Sequence, residues 1–375
     1  MIQECGLSPD EETAQKSTPI SGQDLRLVVL GGGTGLPVLL RGLKNRLFTA
    51  GGDWNPRRDR ERLTAVVTVA DDGGSSGRLR HAYRVLAPGD IRNCLLALSE
   101  APPTLEAIFR HRFTGQGEIA GHSLGNLILT ALSQVERSFQ RAVERAGEIL
   151  QIRGTVLPST RDEVTLIAEF MDGSRVIGES VIASLRRPIH RVDLLPSRAR
   201  ALPATLEAIR KAHMIVIGPG SLYTSLIPVV LVREIAEAIA LSYARVVLVM
   251  NLMSEPGETD GYNAADVILA LRRHAPQVTI QDVLVNTAPL APDAAARYAA
   301  GGSLPIAVCG RSLWELGCRP MERDLLSKGP EIRHDPDKLA GAVLELAEEM
   351  PQRVTLPWRA ALPELGGGDG IGMSR

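Results

Sequence analysis

The sequence predicts an α/β protein with a mainly parallel sheet and helices on both of its faces. Two observations predict it. Short continuous apolar runs, typical of strands buried on both faces, alternate with segments whose apolar residues recur every three or four positions, as helices require. This alternation of strand and helix is the pattern of parallel sheets. Only the middle of the chain breaks it, and there we predict a small antiparallel excursion at residues 151–196.

The first half of the chain opens with a polar, acidic segment, residues 1–24, which we expect to be a disordered leader. A strand is predicted at Leu25–Leu30, followed by a glycine turn and a helix that begins near Leu36. A polar, arginine-rich insert at 46–62 precedes a second strand at Leu63–Ala70. Apolar spacing predicts further helices at residues 91–99, 103–111, 122–136 and 138–150.

The second half begins with the antiparallel excursion, in which Asp172 and Gly173 form the turn of a hairpin. The alternation of strand and helix then returns. We therefore predict a single domain over residues 25–350 and a C-terminal tail at 351–375. The later strands are predicted at Met214–Ile217, Arg245–Asn251, Asp282–Asn286 and Leu304–Val308, with a helix from the second glycine turn to about Glu237 and a closing helix at Asp337–Met350.

Composition argues against several classes of protein. A formal net charge of −1 and an aromatic content of 3% do not favour nucleic-acid binding, which needs positive charge and stacking side chains. No stretch reaches the roughly 18–20 apolar residues of a membrane span, and the N-terminus lacks the pattern of a signal peptide. The four cysteines have neither metal-ligand nor disulfide spacing. We therefore expect a cytoplasmic protein.

Glycine and polar residues collect directly after four of the predicted strands. The stretches are GGGTG after Leu30, DDGGSSG after Ala70, GPGS after Ile217 and NLMSEPGETDGY after Met250. The carboxyl ends of parallel strands meet at one edge of a sheet, where open sheets of this class bind ligands. Glycine lets the backbone approach a ligand closely, and its N–H groups can surround an anion. The sequence therefore predicts an anion-binding crevice at this edge.

Two common nucleotide-binding motifs are not satisfied by these glycines. The dinucleotide fingerprint G-x-G-x-x-G would need glycine at Leu36 or Val38, and no Gly-Lys pair follows to complete a P-loop. The failed fingerprint argues against an NAD-dependent oxidoreductase. A glycine turn alone also serves tight packing, so the aspartate stretch is the stronger indication of a ligand site.

That stretch begins with two carboxylates. Asp71 and Asp72 are candidates for hydrogen bonds to a sugar or base, or for holding Mg²⁺ at a phosphate. Neighbouring residues at a strand end point in opposite directions, so only one should face the ligand, and Asp72 could instead cap the following turn. The arginine that follows, Arg78, could contact a phosphate or could lie in solvent at the start of a helix. The other candidates here are Gly73, Gly74, Ser75 and Arg78.

Two further stretches place polar residues at predicted helix starts. Asp90 fits a helix N-cap as well as a ligand contact, and Asn93 follows it in the first turn. His122 and Asn126 share one helix face, where the histidine could be a cap, a packed neutral ring or an acid/base group. Gly125 between them suggests that something packs closely there. The spacing of residues indicates no nucleophile.

Taken together, these stretches resemble the gluconeogenesis-factor (YvcK-like) family. That family is related to the 2-phospho-L-lactate transferases (CofD) of deazaflavin cofactor biosynthesis. The resemblance runs from about residue 25 to 345 and implies a Rossmann-like, CofD-type fold. It rests, in chain order, on VVLGGGTGLPVLLRGLK, TAVVTVADDGGSSGRLR, PGDIRNCLLAL, GHSLGNLILTAL, RGTVLPST, DGSRVIGES, VIGPGSLYTSLIP and NLMSEPGETDGY.

The resemblance implies a nucleotide ligand in the crevice, with UDP-sugars such as UDP-N-acetylglucosamine the expected class. It implies a cytoplasmic regulator needed for cell shape and for growth on gluconeogenic carbon sources, with cell-wall synthesis proteins as partners and no settled reaction. Apolar helix surfaces are compatible with a homodimer. An enzyme stays open as the alternative, a transferase of a 2-phospholactyl group whose Mg²⁺ would be held by Asp71 or Asp72. Besides these, the matching motifs place ligand contacts at Gly32, Gly33, Thr34, Gly35, Asn93, Asn126, Gly218, Gly220, Ser221 and Asn251.

Overall fold

The structure is a computed structural model that describes residues 24–48 and 54–349. Its strands are β1 (Leu27–Gly31), β2 (Leu63–Val67), β3 (Thr155–Pro158), β4 (Thr165–Phe170), β5 (Arg175–Ile177), β6 (Ile189–Leu195), β7 (Met214–Ile217), β8 (Arg245–Val249), β9 (Asp282–Asn286) and β10 (Arg319–Arg323). Its helices are α1 (Gly35–Leu47), α2 (Pro56–Asp59), α3 (Gly74–Tyr83), α4 (Pro88–Leu98), α5 (Pro103–Arg110), α6 (Leu124–Glu136), α7 (Phe139–Ile149), α8 (Glu179–Leu185), α9 (Pro203–Lys211), α10 (Ile227–Val230), α11 (Arg233–Leu241), α12 (Ala264–His274), α13 (Pro292–Ala300), α14 (Gly310–Glu315) and α15 (Pro336–Glu348).

Seven strands form one sheet in the order β10-β9-β8-β7-β1-β2-β3, and every neighbouring pair in it is parallel. From β1 the chain adds β2 and β3 on one side, then returns to add β7 and the later strands on the other. The strand order therefore reverses between β1 and β7. Open parallel sheets bind ligands at such a reversal, outside the carboxyl ends of the two strands.

The central strands are covered by helices on both faces. Every residue of β1, β2 and β7 is buried, which is why the sequence shows continuous apolar runs there and no alternation. Each fully buried Val or Leu contributes about 1.5–3 kcal/mol to the stability of the fold. The predicted α/β class with a mainly parallel sheet is confirmed.

The antiparallel excursion is smaller than predicted. Its first predicted strand, β3, pairs in parallel with β2 and so belongs to the main sheet. The true excursion is the three-stranded sheet β5-β4-β6, with Asp172 and Gly173 in the turn between β4 and β5 as expected. It also contains α8, which was not predicted because seven residues are too few to show a helical period.

Three other predicted elements differ. Residues Leu304–Val308 form no strand and make only isolated bridges, while the edge strand is β10, whose sequence RPMER shows no apolar run because it is half-exposed. The helix expected after β7 is divided into a π-helical turn at Leu222–Leu226, α10 and α11, with Pro228 in the first turn of α10. A third difference is a helix whose bounds were not predicted: α3 begins at Gly74, inside the DDGGSSG stretch.

The predicted leader, residues 1–24, lies outside the described residues except for Asp24, and so do the whole predicted tail, residues 351–375, and residues 49–53 of the arginine-rich insert. Within the insert, the Asn55 side chain accepts a hydrogen bond from the N–H of Arg57 and caps the short α2. Asp59 is buried there and pairs with Arg58 and Arg62. Among the described helices, none has both the length and the apolar content needed to cross a membrane.

Candidate functional site

The loops after β1 and β7 pack against each other at the reversal of strand order and form what we call the glycine wall, Gly31–Gly35 with Gly218–Gly220. Gly33 has φ +64° and Gly218 has φ +84°, conformations that favour glycine. A Cβ on Gly35 would lie 2.6 Å from the carbonyl oxygen of Pro219. The two loops can therefore touch only because this position has no side chain.

The glycine wall also contains the start of α1. Thr34 is exposed at the N-cap position, and no side chain caps the first turn of this 13-residue helix. The N–H groups of a first turn have no partner within their own helix and carry positive partial charge. They suit a phosphate group.

Residues behind the glycine wall hold the β7 loop in place. The Asn251 amide accepts a hydrogen bond from the N–H of Gly220 at 3.2 Å and donates one to its carbonyl oxygen at 2.8 Å. The buried Glu258 accepts from the N–H of Tyr223 at 3.0 Å, at the start of the π-helical turn. Burial is the main reason that the pKa of Glu258 rises to about 7. Ser221 lies between these two braces and half-exposed towards the crevice.

Beside the glycine wall lies a cavity of about 320 Å³, here called the crevice cavity. Thr34, Gly220 and Asn251 form one side of it. Glu255, from the NLMSEPGETDGY stretch, also lines the cavity, together with residues outside the motifs of the sequence analysis, namely Tyr298, Ser303, Arg333 and His334. They lie on segments far apart in the chain, and no local motif joins them.

His334, which lines this cavity, contains a buried polar atom that lacks a partner in the described part of the chain. Its Nε2 is buried and has no hydrogen-bond partner among the described residues. Burial lowers the pKa of His334 to about 4, so the ring is neutral at pH 7. Buried polar atoms normally have a partner.

Next to the glycine wall lies a group of three carboxyl groups, Asp71, Asp90 and Glu179, here called the carboxylate wall. Asp90 was expected at a helix N-cap, but the N-cap of α4 is Ala87, and Asp90 lies within the first turn. Its Oδ2 instead accepts a hydrogen bond from the N–H of Gly33 at 2.7 Å, which joins the two walls.

Two of these carboxyl groups, those of Asp90 and Glu179, are weaker acids than usual. Burial, assisted by the nearby charge of Asp71, raises the pKa of Asp90 to about 6 and that of Glu179 to about 8. Near neutral pH, part of this wall is therefore protonated. A protonated carboxyl can donate to a hydroxyl oxygen and repels an anionic ligand less than a carboxylate does.

The adjacent Asp71 and Asp72 have different partners. Asp71 faces the crevice side, where its Oδ1 accepts from the N–H of Gly73 at 2.8 Å. Asp72 accepts from the N–H groups of Ser180 at 2.8 Å and Glu179 at 3.1 Å. It is therefore a helix cap, but of the distant α8 and not of the turn that follows it.

A buried polar cluster supports the carboxylate wall from behind. The Ser75 hydroxyl lies 3.1 Å from Nδ1 of His122 and accepts from Nδ2 of Asn126 at 3.2 Å and from the N–H of Ser123 at 3.3 Å. Burial lowers the pKa of His122, so its ring is neutral at pH 7. The predicted site residues Ser75, His122 and Asn126 therefore lie together, but their polar groups form hydrogen bonds with one another.

Arg92 completes this cluster. It donates to Oδ1 of Asn126 at 2.7 Å and to Oδ1 of Asn93 at 2.9 Å. A Cβ on Gly125 would lie 2.7 Å from Cδ of Arg92, so the glycine makes room for the arginine, as close packing there was expected to require. Burial lowers the pKa of Arg92 to about 10, which still leaves it charged at pH 7.

The remaining predicted residues lie at the edge of the site. Arg78 is exposed and donates to the carbonyl oxygen of Ala120 at 2.8 Å, and Gly74 is exposed at the start of α3. Arg80 donates to the carbonyl oxygens of Ala70 and Asp71 at 3.1 and 2.9 Å, so it braces the strand end.

Comparisons with known proteins agree with one another. Residues 27–326 match the family described as 2-phospho-L-lactate transferase CofD. The chain is 44% identical over 320 residues to the gluconeogenesis factor of Halalkalibacterium halodurans, covering 85% of this chain and 95% of that one. It is 41% identical over 329 residues to the gluconeogenesis factor of Bacillus subtilis, covering 88% and 100%. A crystal structure of a Bacillus halodurans protein superposes with a TM-score of 0.79 at 43% identity, covering 85% of this chain and 99% of that one.

Proposed function

Because the chain belongs to the gluconeogenesis-factor family within the CofD superfamily, we propose that it is a cytoplasmic regulatory protein that binds a UDP-sugar in the crevice between β1 and β7. UDP-N-acetylglucosamine is the proposed ligand. The protein would couple carbon metabolism to the supply of cell-wall precursors, acting on cell-wall synthesis proteins. Its loss would then impair cell shape and growth on gluconeogenic carbon sources.

One observation carries the proposal, the proximity of three differently built surfaces: the glycine wall lines the crevice cavity, and Asp90 of the carboxylate wall accepts a hydrogen bond from Gly33. The uncapped start of α1 suits the diphosphate. The crevice cavity, at about 320 Å³, has the size of a small ligand pocket, and His334 is among the residues that line it. The carboxylate wall has acceptors for the hydroxyls of the sugar.

We favour ligand binding without a chemical reaction over a transferase because the polar side chains near the crevice already form hydrogen bonds with other groups of the protein. The Ser75 hydroxyl accepts from two N–H groups while it contacts His122, so it is poorly placed to attack a ligand. Asp72 and Asn251 hold backbone segments in place.

A transferase remains the second candidate, favoured by the family match and by the carboxylate wall. Both oxygens of Asp72 are occupied by α8, so Asp71, assisted by Asp90, would hold the Mg²⁺. The described residues contain no cluster of three or more His, Cys, Asp or Glu side chains suited to a metal ion. Mg²⁺ is often held by one or two carboxylates plus phosphate oxygens, so these residues fit it only with the substrate present. When bound, it would neutralise charge on the phosphate.

Calorimetric titration tests the proposal. The protein is titrated with UDP-N-acetylglucosamine, UDP, NAD and GDP, each with and without Mg²⁺. We expect UDP-N-acetylglucosamine to bind most tightly, with or without the metal, and to be recovered unchanged. Tight binding of GDP with a strict Mg²⁺ requirement would favour the transferase, and no binding of any nucleotide would contradict both functions.

A further inference from the structure

A second, larger cleft of about 670 Å³ lies beyond the β3 edge of the main sheet. It is formed by the ends of α3 and α6, the starts of α7 and α9, and the loop after β3. Its charged residues are Arg84, Arg137, Arg161 and Glu163, and we call it the basic cleft. The proposed function uses none of these residues.

The basic cleft carries an excess of positive charge. Three arginines line it against one carboxylate, and no described residue forms a hydrogen bond or ion pair with any of the three guanidinium groups. The starts of α7 and α9, at Ser138–Gln140 and Leu202–Pro203, add the positive partial charge of helix N-termini. Unpaired guanidinium groups around one concave space are the arrangement that binds phosphate.

The backbone of two of these arginines is unusual. Arg84 and Arg137 both have φ +52°, at the C-cap positions of α3 and α6. Glycine is the ordinary residue in this conformation, which it adopts without steric cost. Capping therefore explains the left-handed backbone but not the arginine side chains. The left-handed backbone does not itself indicate a ligand, since Arg186 adopts it outside the cleft. The indication is that both guanidinium groups belong to residues lining one concave space.

We propose that the basic cleft is a second ligand site, for a small metabolite that carries two or more phosphate groups. Its volume is that of a small-molecule site. A guanidinium group can pair with two oxygens of one phosphate, so three such groups have the capacity to hold more than one phosphate. The half-exposed Tyr83 and Phe139 also line the cleft and offer ring surface to the carbon skeleton.

This site is separate from the crevice. Helix α3 starts near the carboxylate wall, where Ser75 joins the buried polar cluster, and ends at the basic cleft. Its 10 residues span about 15 Å. A ligand in the basic cleft would therefore leave the glycine wall free, and the inference does not depend on what the crevice binds.

Calorimetry at low ionic strength, with inorganic pyrophosphate and with fructose 1,6-bisphosphate as probes, tests the proposal on the full chain. The decisive variant is the double substitution Arg84→Gly and Arg137→Gly. It removes two guanidinium groups and places glycine where glycine is preferred. We expect at least tenfold weaker binding of both probes, with a melting temperature equal to or above that of the parent.

Arg186→Gly is the matched control, because Arg186 has φ +46° at the C-cap of α8 and lies outside the basic cleft. It should behave like the double variant in melting temperature and like the parent in binding. Arg161→Ala, which leaves both helix ends unchanged, should also weaken binding. The proposal is overturned if neither probe binds the parent protein, if the double variant binds as tightly as the parent, or if saturating UDP-N-acetylglucosamine displaces the probes.

Discussion

The glycine wall and the carboxylate wall differ in the groups that they present. The glycine wall presents backbone N–H groups, and its shape depends on missing side chains, as at Gly35 beside Pro219. The carboxylate wall presents side chains whose charge depends on pH. The bond from Gly33 to Asp90 joins them. Substitutions in the glycine wall should therefore act through steric clashes. Substitutions in the carboxylate wall should act through hydrogen bonding and charge.

The largest effect is expected on the glycine wall. In Gly35→Ala the new Cβ would lie 2.6 Å from a backbone oxygen of Pro219, and backbone cannot yield as a flexible side chain would. The loops after β1 and β7 must then separate, and we expect affinity for UDP-N-acetylglucosamine to fall at least 100-fold, by about 2.7 kcal/mol or more, in calorimetry.

Gly117→Ala is the control for this substitution, since a Cβ there meets no atom within 4 Å. It should bind as the parent does. A folded Gly35→Ala protein, verified by circular dichroism, that keeps its affinity would show that the ligand does not use the glycine wall.

On the carboxylate wall, Asp71→Asn should act on the sugar and spare the nucleotide. The substitution keeps the shape of the side chain and removes its charge, so a hydrogen bond to a sugar hydroxyl would weaken by about 1–3 kcal/mol. We expect affinity for UDP-N-acetylglucosamine to fall about 10- to 100-fold, while affinity for UDP changes little. Equal losses for both ligands would place Asp71 at the phosphates instead.

The neighbouring Asp72→Ala should affect folding more than binding. Asp72 accepts two N–H groups at the start of α8, and loss of such a cap lowers the free energy of unfolding by about 1–2 kcal/mol. Urea denaturation measures this change. A variant with the stability of the parent protein would contradict the capping role.

The smallest effect is a dependence of stability on pH. The pKa values of Asp90 and Glu179 are raised in the folded protein, to about 6 and about 8, so the folded state holds more protons than the unfolded state between the ordinary carboxyl pKa and these values. The free energy of unfolding should therefore fall as pH rises from 5 to 8. We expect about 1 kcal/mol in total, since solvent screens part of the interaction.

Glu179→Gln should reduce this slope and should stabilise the protein at pH 8 relative to the parent. Denaturation curves at pH 5, 6, 7 and 8 provide the measurement for both proteins. Parallel pH dependences would mean that Glu179 ionises at the same pH in the folded and unfolded chains.

The features that could be predicted from sequence are local ones. Continuous apolar runs predict the central strands because both faces of those strands are buried, and glycine stretches at their ends locate the crevice. The edge strand β10 was missed because it is half-exposed, and α8 because it is short.

Contacts between distant segments could not be predicted in this way. Asp72 accepts a hydrogen bond from the N–H of Ser180, which lies 108 positions further along the chain. From the sequence alone, capping of the turn that follows Asp72 is the simpler expectation. The side of the crevice cavity formed by Tyr298, Arg333 and His334 has no motif of its own. A buried histidine nitrogen without a partner becomes visible only when the surrounding atoms are placed.

The two hydrogen bonds from the start of α8 to Asp72 have a consequence for engineering shorter versions of this fold. The small antiparallel sheet looks like a removable insertion, since it forms its own hydrogen-bonded unit outside the main sheet. Excising it together with α8 would leave Asp72 without the two N–H groups that stabilise its charge. A trimmed protein would therefore gain an uncompensated negative charge next to Asp71, at the mouth of a crevice suited to an anion. Any minimal version of this domain must retain α8 or replace Asp72 with a neutral residue.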